Sequence, residues 1–134
     1  MGFLKNLFGN KAAELQKAAE QGDAEAQREL GVMYLDGDGV PKDMVTGARW
    51  LQKAADQGDV VGQYLLARVY FKGTGVAKND YKAVQWLQKA ADQGLPNAQY
   101  VLGAMYHRGE GVARDTAKGD YWQKLAYANG FRGD

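Results

Sequence analysis

The chain has 134 residues, enough for one domain with a real core and too few for two ordinary ones. Hydrophobic residues make up 46% and charged residues 25%, the balance of a folded globular protein, and 17 basic residues against 16 acidic ones leave a formal net charge of +1. Nucleic-acid binding is excluded as an expectation because phosphate contacts need a marked basic excess; with no cysteine, disulfides, thiolate metal sites and a cysteine nucleophile are excluded too.

At the N-terminus, Phe3, Leu4, Leu7 and Phe8 would form an apolar stripe on a turn and a half of helix. This stretch is too short for a secretory core and has no small-residue cleavage site, so a cytoplasmic location is expected. No run reaches the roughly 20 apolar residues of a membrane span. The stripe is expected to cover the unpaired helix 12–21 rather than to anchor in lipid, since Lys5 is its sole attraction for an anionic surface.

From Leu15 onward the chain repeats itself. Trp50-Leu-Gln-Lys-Ala-Ala-Asp-Gln-Gly58 recurs unchanged as Trp86 to Gly94, 36 residues later. The same ruler reaches Trp122 and Gly130 forward, and Leu15-Gln-Lys-Ala-Ala-Glu-Gln-Gly22 backward. The single domain 1–134 therefore divides into an N-terminal cap and half-repeat (1–22), three units (23–58, 59–94, 95–130) and a tail (131–134). Further columns align: Leu30, Leu66, Leu102; Gly31, Ala67, Gly103; Tyr34, Tyr70, Tyr106; and Gly-x-Gly-Val ending in Val40, Val76 and Val112.

Each unit reads as a helical hairpin. Asp23 and Asp59 suit N-caps after the closing glycines Gly22 and Gly58, and Pro96 suits a first turn where Leu95 replaces the cap. Ala26, Leu30 and Tyr34 share one stripe of the first helix. A glycine loop follows, then a second helix from about Met44 to Gln57 with Trp50, Leu51 and Ala54 on its apolar side. The small residues Gly31, Ala67 and Gly103 would let the two helices approach closely. A lone hairpin cannot bury its apolar face, so the units must stack as a quasi-one-dimensional array.

These columns resemble the Sel1-like repeat family, a relative of the tetratricopeptide repeats. The middle unit carries the family pattern in Leu66-Ala67, Tyr70, Gly73-Thr74-Gly75-Val76, Asn79, Lys82-Ala83, Trp86 and Lys89-Ala90-Ala91; the first keeps Leu30-Gly31, Tyr34, Gly37-Asp38-Gly39-Val40, Asp43, Trp50 and Lys53-Ala54-Ala55. The similarity covers residues 12–130, with departures at Gly62, Asn79, Thr46-Gly47 and the last helix, Tyr121 to Asn129, which reads as a terminal cap with a more soluble outer face. The resemblance implies an all-α fold, a right-handed α-α superhelix of antiparallel hairpins, and a role as a non-enzymatic adaptor that binds protein. Two alternatives stay open: an exported envelope protein acting on cell-wall fragments or β-lactams, as some cysteine-rich family members suggest, and a structural spacer.

Residues that look chemical have structural explanations. The Gly-x-Gly loops lack the preceding strand and following Lys-Ser/Thr of a phosphate cradle. His107 is the single histidine and the chain has no serine, which rules out the usual hydrolytic triads. Asp36 and Asp38 belong to a solvated turn, and no cluster has metal-ligand spacing, so no cofactor or metal is expected. Arg132-Gly133-Asp134 is a three-residue match to an integrin-recognition motif in a frayed tail and carries no weight.

The candidate site lies on the helical wheel. With Leu30 as the core direction, positions 25, 28, 32, 35 and 36 fall on the opposite side of the first helix. Their columns vary between units: Glu25, Val61, Asn97; Arg28, Tyr64, Tyr100; Val32, Arg68, Ala104; Leu35, Phe71, His107; Asp36, Lys72, Arg108. The resemblance implies that this face lines a concave groove. Glu25, Arg28, Tyr64, Arg68, Phe71, Lys72, Tyr100, His107 and Arg108 are the expected partner-binding residues, the aromatics being expected to stand exposed among arginines. The partner would be a protein or peptide, acidic or ending in a free carboxylate, bound by a monomeric or weakly self-associating chain.

Overall fold

A computed structural model describes the backbone of residues 2–133 and the side chains of residues 11–133. Within it the chain forms seven α-helices and no strand: α1 Gly2–Glu20, α2 Ala24–Asp36, α3 Met44–Asp56, α4 Val60–Lys72, α5 Asp80–Asp92, α6 Pro96–Arg108 and α7 Thr116–Ala128. Helices α2–α3, α4–α5 and α6–α7 are the three hairpins, and each hairpin packs on the next through α3 with α4 and α5 with α6. Helix α1 packs on α2 as the unpaired second helix of a preceding unit and runs ten residues further back than the repeat alone implied. The side chains of Phe3, Leu4, Leu7 and Phe8 lie outside the described residues, as does Asp134 of the C-terminal tripeptide.

Caps fix the hairpin ends. Asp23 and Asp59 accept hydrogen bonds from the backbone N–H groups of Ala26 and Gly62; Leu95 makes no such bond, and Pro96 opens α6 instead. Asp43, Asn79 and Asp115 cap the second helices from the same extended backbone, so Asn79 replaces aspartate without loss of the bond. The N–H of each of these three residues also donates to the carbonyl of Tyr34, Tyr70 or Tyr106 at 2.9 Å, which ties the loop back to the first helix. The turn into that loop requires the left-handed backbone of Gly37, Gly73 and Gly109, with φ of 69, 68 and 67°.

Close approach within the first hairpin depends on two facing glycines. A Cβ on Gly31 would lie 3.0 Å from the Gly47 carbonyl, and one on Gly47 would lie 2.9 Å from the Gly31 carbonyl. The core is a line of fully buried leucines, Leu30, Leu51, Leu66, Leu87 and Leu102, each from a different helix, set among alanines. The tryptophans, expected inside, are only half-buried: the Lys53 ammonium stands 4.9 Å above the Trp50 ring and Lys89 4.7 Å above Trp86. They wall the core rather than fill it.

The units are also bonded through a buried amide ladder. Gln27, Gln63 and Gln99 are buried, and each donates its side-chain amide to the carbonyl of Ala19, Ala55 or Ala91 in the preceding helix. Their own oxygens accept from Gln57, Gln93 and Asn129 of the same unit. Gln57 and Gln93 donate in addition to the carbonyls of Gly22 and Gly58. Every buried polar side-chain atom among the described residues is satisfied.

The last helix has a mixed outer face, in which Lys118, Asp120 and Lys124 are exposed beside tyrosines. Tyr121 and Tyr127 are exposed, while Phe131 folds back and is buried, stacked on Tyr100 with ring centroids 4.2 Å apart. Tyr127 meets both rings edge-on.

Candidate partner-binding face

The varying columns of α2, α4 and α6 fall into two groups in space. Position 28 of the first unit faces the next unit's cap: Arg28 Nε lies 2.8 Å from Asp59 Oδ2, the same oxygen that accepts from the Gly62 N–H. Thirty-six residues on, Tyr64 and Leu95 hold these places, both packed against the core cluster of the last two units. After another 36 they are the stacked pair Tyr100 and Phe131. Arg28, Tyr64 and Tyr100 are thus junction residues between units. The expectation that Tyr64, Phe71 and Tyr100 stand exposed is corrected: all three are half-buried, and Phe71 packs against the same cluster as Tyr64. A first helix in a solenoid has neighbours on three sides, so lying opposite its own core does not make a residue free.

Position 35 also points inward. Leu35 packs against the position of Gly47, and His107 lies so close over Gly119 that a Cβ there would collide with its ring. His107 Nε2 is 3.2 Å from Asp120 Oδ1. Glu25 is exposed and lies with Leu15 and Ala18 of α1 beside a small depression at the start of the array, apart from the remaining candidates.

Arg68 and Lys72 are brought together. Both line a cleft of about 360 Å³ between α2 and α4, whose floor is Val32, Leu35, Leu65 and Val69. Asp36 and Thr74 complete the rim. Arg68 and Lys72 are exposed, and neither has a carboxylate within ion-pair distance among the described residues. Arg108, the counterpart of Lys72 one unit on, is likewise exposed. Leu65, Val69 and Thr74 were not anticipated. Column 65 reads Glu29, Leu65 and Val101, a variation as wide as in the columns that were singled out, and it was the available signal.

The cleft thus sets two exposed cations, neither in an ion pair among the described residues, above an aliphatic floor. Among the described residues no group of three His, Asp or Glu side chains is placed to hold a metal ion, and no helix is long and apolar enough to cross a membrane.

Stacked hairpins with a satisfied interior and first helices that vary from unit to unit define an α-solenoid repeat protein. The Sel1 repeat family model matches residues 15–23, 24–59, 60–95 and 96–131, and the chain belongs to that family. Sel1 repeats serve generally as protein-interaction modules, and proteins built from them are generally non-catalytic scaffolds.

Solved structures agree. The chain is 42% identical to c5321, a protective antigen present in uropathogenic Escherichia coli strains that displays an SLR fold, with a TM-score of 0.87 over 90% of this chain and 26% of that one. It is 38% identical to a Sel1 repeat protein from Oxalobacter formigenes, with a TM-score of 0.82 and 90% of both chains covered. Cysteine rich protein B of Helicobacter pylori shares the fold at 23% identity and a TM-score of 0.70, over 90% of this chain and 92% of that one. No curated protein sequence gives a significant match. The chain thus spans about a quarter of the length of the E. coli antigen and nearly the whole of the other two.

Proposed function

We propose that the protein is a non-catalytic adaptor that binds an acidic peptide segment, or a free C-terminal carboxylate, along its first-helix groove. The observation that carries this reading is the pair of exposed cations, Arg68 and Lys72, above the aliphatic cleft between α2 and α4. A carboxylate reaching Arg68 would make a charge-assisted, bidentate contact, and an apolar neighbour would cover Val32 and Leu65. Arg108 extends the positive edge toward the third unit. Arg28, Tyr64, Phe71, Tyr100 and His107 support the groove by packing the hairpins and their junctions, Glu25 stands apart from it, and the monomer suffices for such a site.

The experiment is a pull-down from the native cell with the wild-type chain and with Arg68→Glu combined with Lys72→Glu. Both side chains are exposed, so the melting temperature should stay within a degree or so, while capture of the partner should fall about tenfold or more. Undiminished capture would exclude the groove. Tyr100 is unsuitable for this test, because truncating it also strips Phe131 of its stacking partner.

A further inference from the structure

A second cleft, of about 670 Å³, opens among the second helices. Helix α5 walls it with Tyr81, Lys82, Gln85, Trp86 and Lys89, and Tyr70 closes one side. The loop of the third unit forms the floor at Gly111 and Val112. That loop sits tight on the start of α5, where a Cβ on Gly111 would collide with the Asp80 carbonyl.

The lining contains no carboxylate. Asp56 and Asp92 stand at its edge, each accepting a hydrogen bond from a lining glutamine, Gln52 or Gln88. Lys82 and Lys89 are exposed and rest above aromatic faces, Lys82 at 5.5 Å from the Tyr70 ring and Lys89 at 4.7 Å from Trp86. Neither has a carboxylate partner among the described residues. Tyr81 is 63% exposed, more than any other large apolar or aromatic side chain described. The wall is particular to the middle unit: where it has Tyr81, Lys82 and Gln85, the first unit has Val45, Thr46 and Arg49, and the third has Ala117, Lys118 and Tyr121.

We infer that this cleft is a second binding site, independent of the groove, for an acidic proline-containing segment of another protein held as a polyproline II helix. Charge complementarity selects the acid: two lysines and no lining carboxylate meet the ligand. Spacing and the aromatic wall together select the conformation: an α-helical ligand would also match the span at i, i+7, about 10.5 Å, but Tyr81 and Trp86 offer the flat walls that proline rings cover. Lys82 and Lys89 are two turns apart on one face of α5, roughly 10 Å along its axis. An extended β-strand puts same-face side chains about 6.6 or 13 Å apart, whereas a polyproline II helix repeats every three residues, at about 9 Å. Glutamates flanking two prolines would therefore reach both lysines. The proline rings between them would cover Tyr81 and Trp86, as flat aromatic walls do in other polyproline-binding grooves.

The test is an NMR titration of the labelled full chain with a short peptide carrying Glu-Pro-Pro-Glu. The expected result is a set of shifts confined to α5, Gln52, Tyr70 and residues 111–112, lost when lysines replace the glutamates and weakened at least tenfold when glycines replace the prolines. Tyr81→Val with Lys82→Thr installs the residues the first unit already tolerates at these places; it should weaken binding at least tenfold with an unchanged melting temperature. Arg68→Glu with Lys72→Glu should leave this titration unaltered. No binding, or binding that survives the α5 variant, would overturn the site. Equal affinity for the glycine peptide or for a helix-locked acidic peptide would overturn the polyproline assignment, and loss in the Arg68 variant would assign the peptide to the groove instead.

Discussion

Asp59 illustrates how much a single side chain carries in a repeat protein. One of its carboxylate oxygens caps α4 and receives Arg28 from the unit before, both at 2.8 Å. Asp59→Ala should therefore cost about 1–2 kcal/mol from the cap, with a further share from the stranded arginine. A double-mutant cycle with Arg28→Ala, read by denaturant unfolding, should return a coupling of about 0.5–1.5 kcal/mol; zero coupling would mean that the pair is ornamental. Asp43 makes a different point. The Thr46 backbone N–H, helped by the Thr46 hydroxyl, holds its carboxyl below the ordinary carboxylate range. A depressed folded-state value means the contribution is complete above the unfolded value and is lost as pH falls through the folded one. The melting-temperature gap between wild type and Asp43→Ala should thus be widest at neutral pH and close in strong acid. Trp50→Ala should cost about 2 kcal/mol by the same unfolding assay, less than a buried tryptophan, because one side of its ring faces Lys53 and solvent.

At the scale of the element, much was legible and the omissions have a common cause. Every hairpin, the caps Asp23 and Asp59 and the closing glycines could be read from the repeat, because those residues act through local backbone chemistry that depends on near sequence, whereas the caps Asp43, Asn79 and Asp115 went unread. Gln27, Gln63 and Gln99 are identical at the same spacing, yet polar residues on a helix read as surface until a structure shows which carbonyl they meet. That ladder predicts that Gln63→Ala, which removes the bond to Ala55 and one of the two bonds made by the Gln93 amide, will cost about 1–2 kcal/mol in chemical unfolding despite deleting no apolar group. The site was legible in part for a related reason. A helical wheel separates the face toward one neighbour from everything else; it picked out Arg68 and Lys72 as exposed, which they are, but counted Tyr64 and Tyr100 as free when they are half-buried and Arg28 as free when it pairs with Asp59.

For the whole molecule, stability is the sum of units and the junctions between them, so the array should loosen from its weaker end. Phe131 is the last described junction residue, buried against Tyr100 and Tyr127. Phe131→Ala should lower amide-exchange protection in α6 and α7 several-fold while leaving α3 and α4 nearly unchanged; a uniform loss along the chain would show that the units unfold as one. The two clefts divide this same body: one lies between first helices and the other along the second helix of the middle unit, and each is lined by residues of two or more successive units.

The paired positions at the junctions impose a reading order on the units. Arg28 pairs with Asp59, Tyr64 shares a core cluster with Leu95 and Tyr100 stacks on Phe131, so the sixth residue of each unit is matched to the residue that opens the segment after it. Although the hairpins are nearly interchangeable as folds, they are not interchangeable as neighbours. A chain with its second and third units exchanged would set Arg28 against a leucine and Tyr100 against an aspartate, leaving a charge and an apolar ring each without a match. The syntax of the array, more than its vocabulary, keeps Arg68, Lys72 and Tyr81 at fixed addresses.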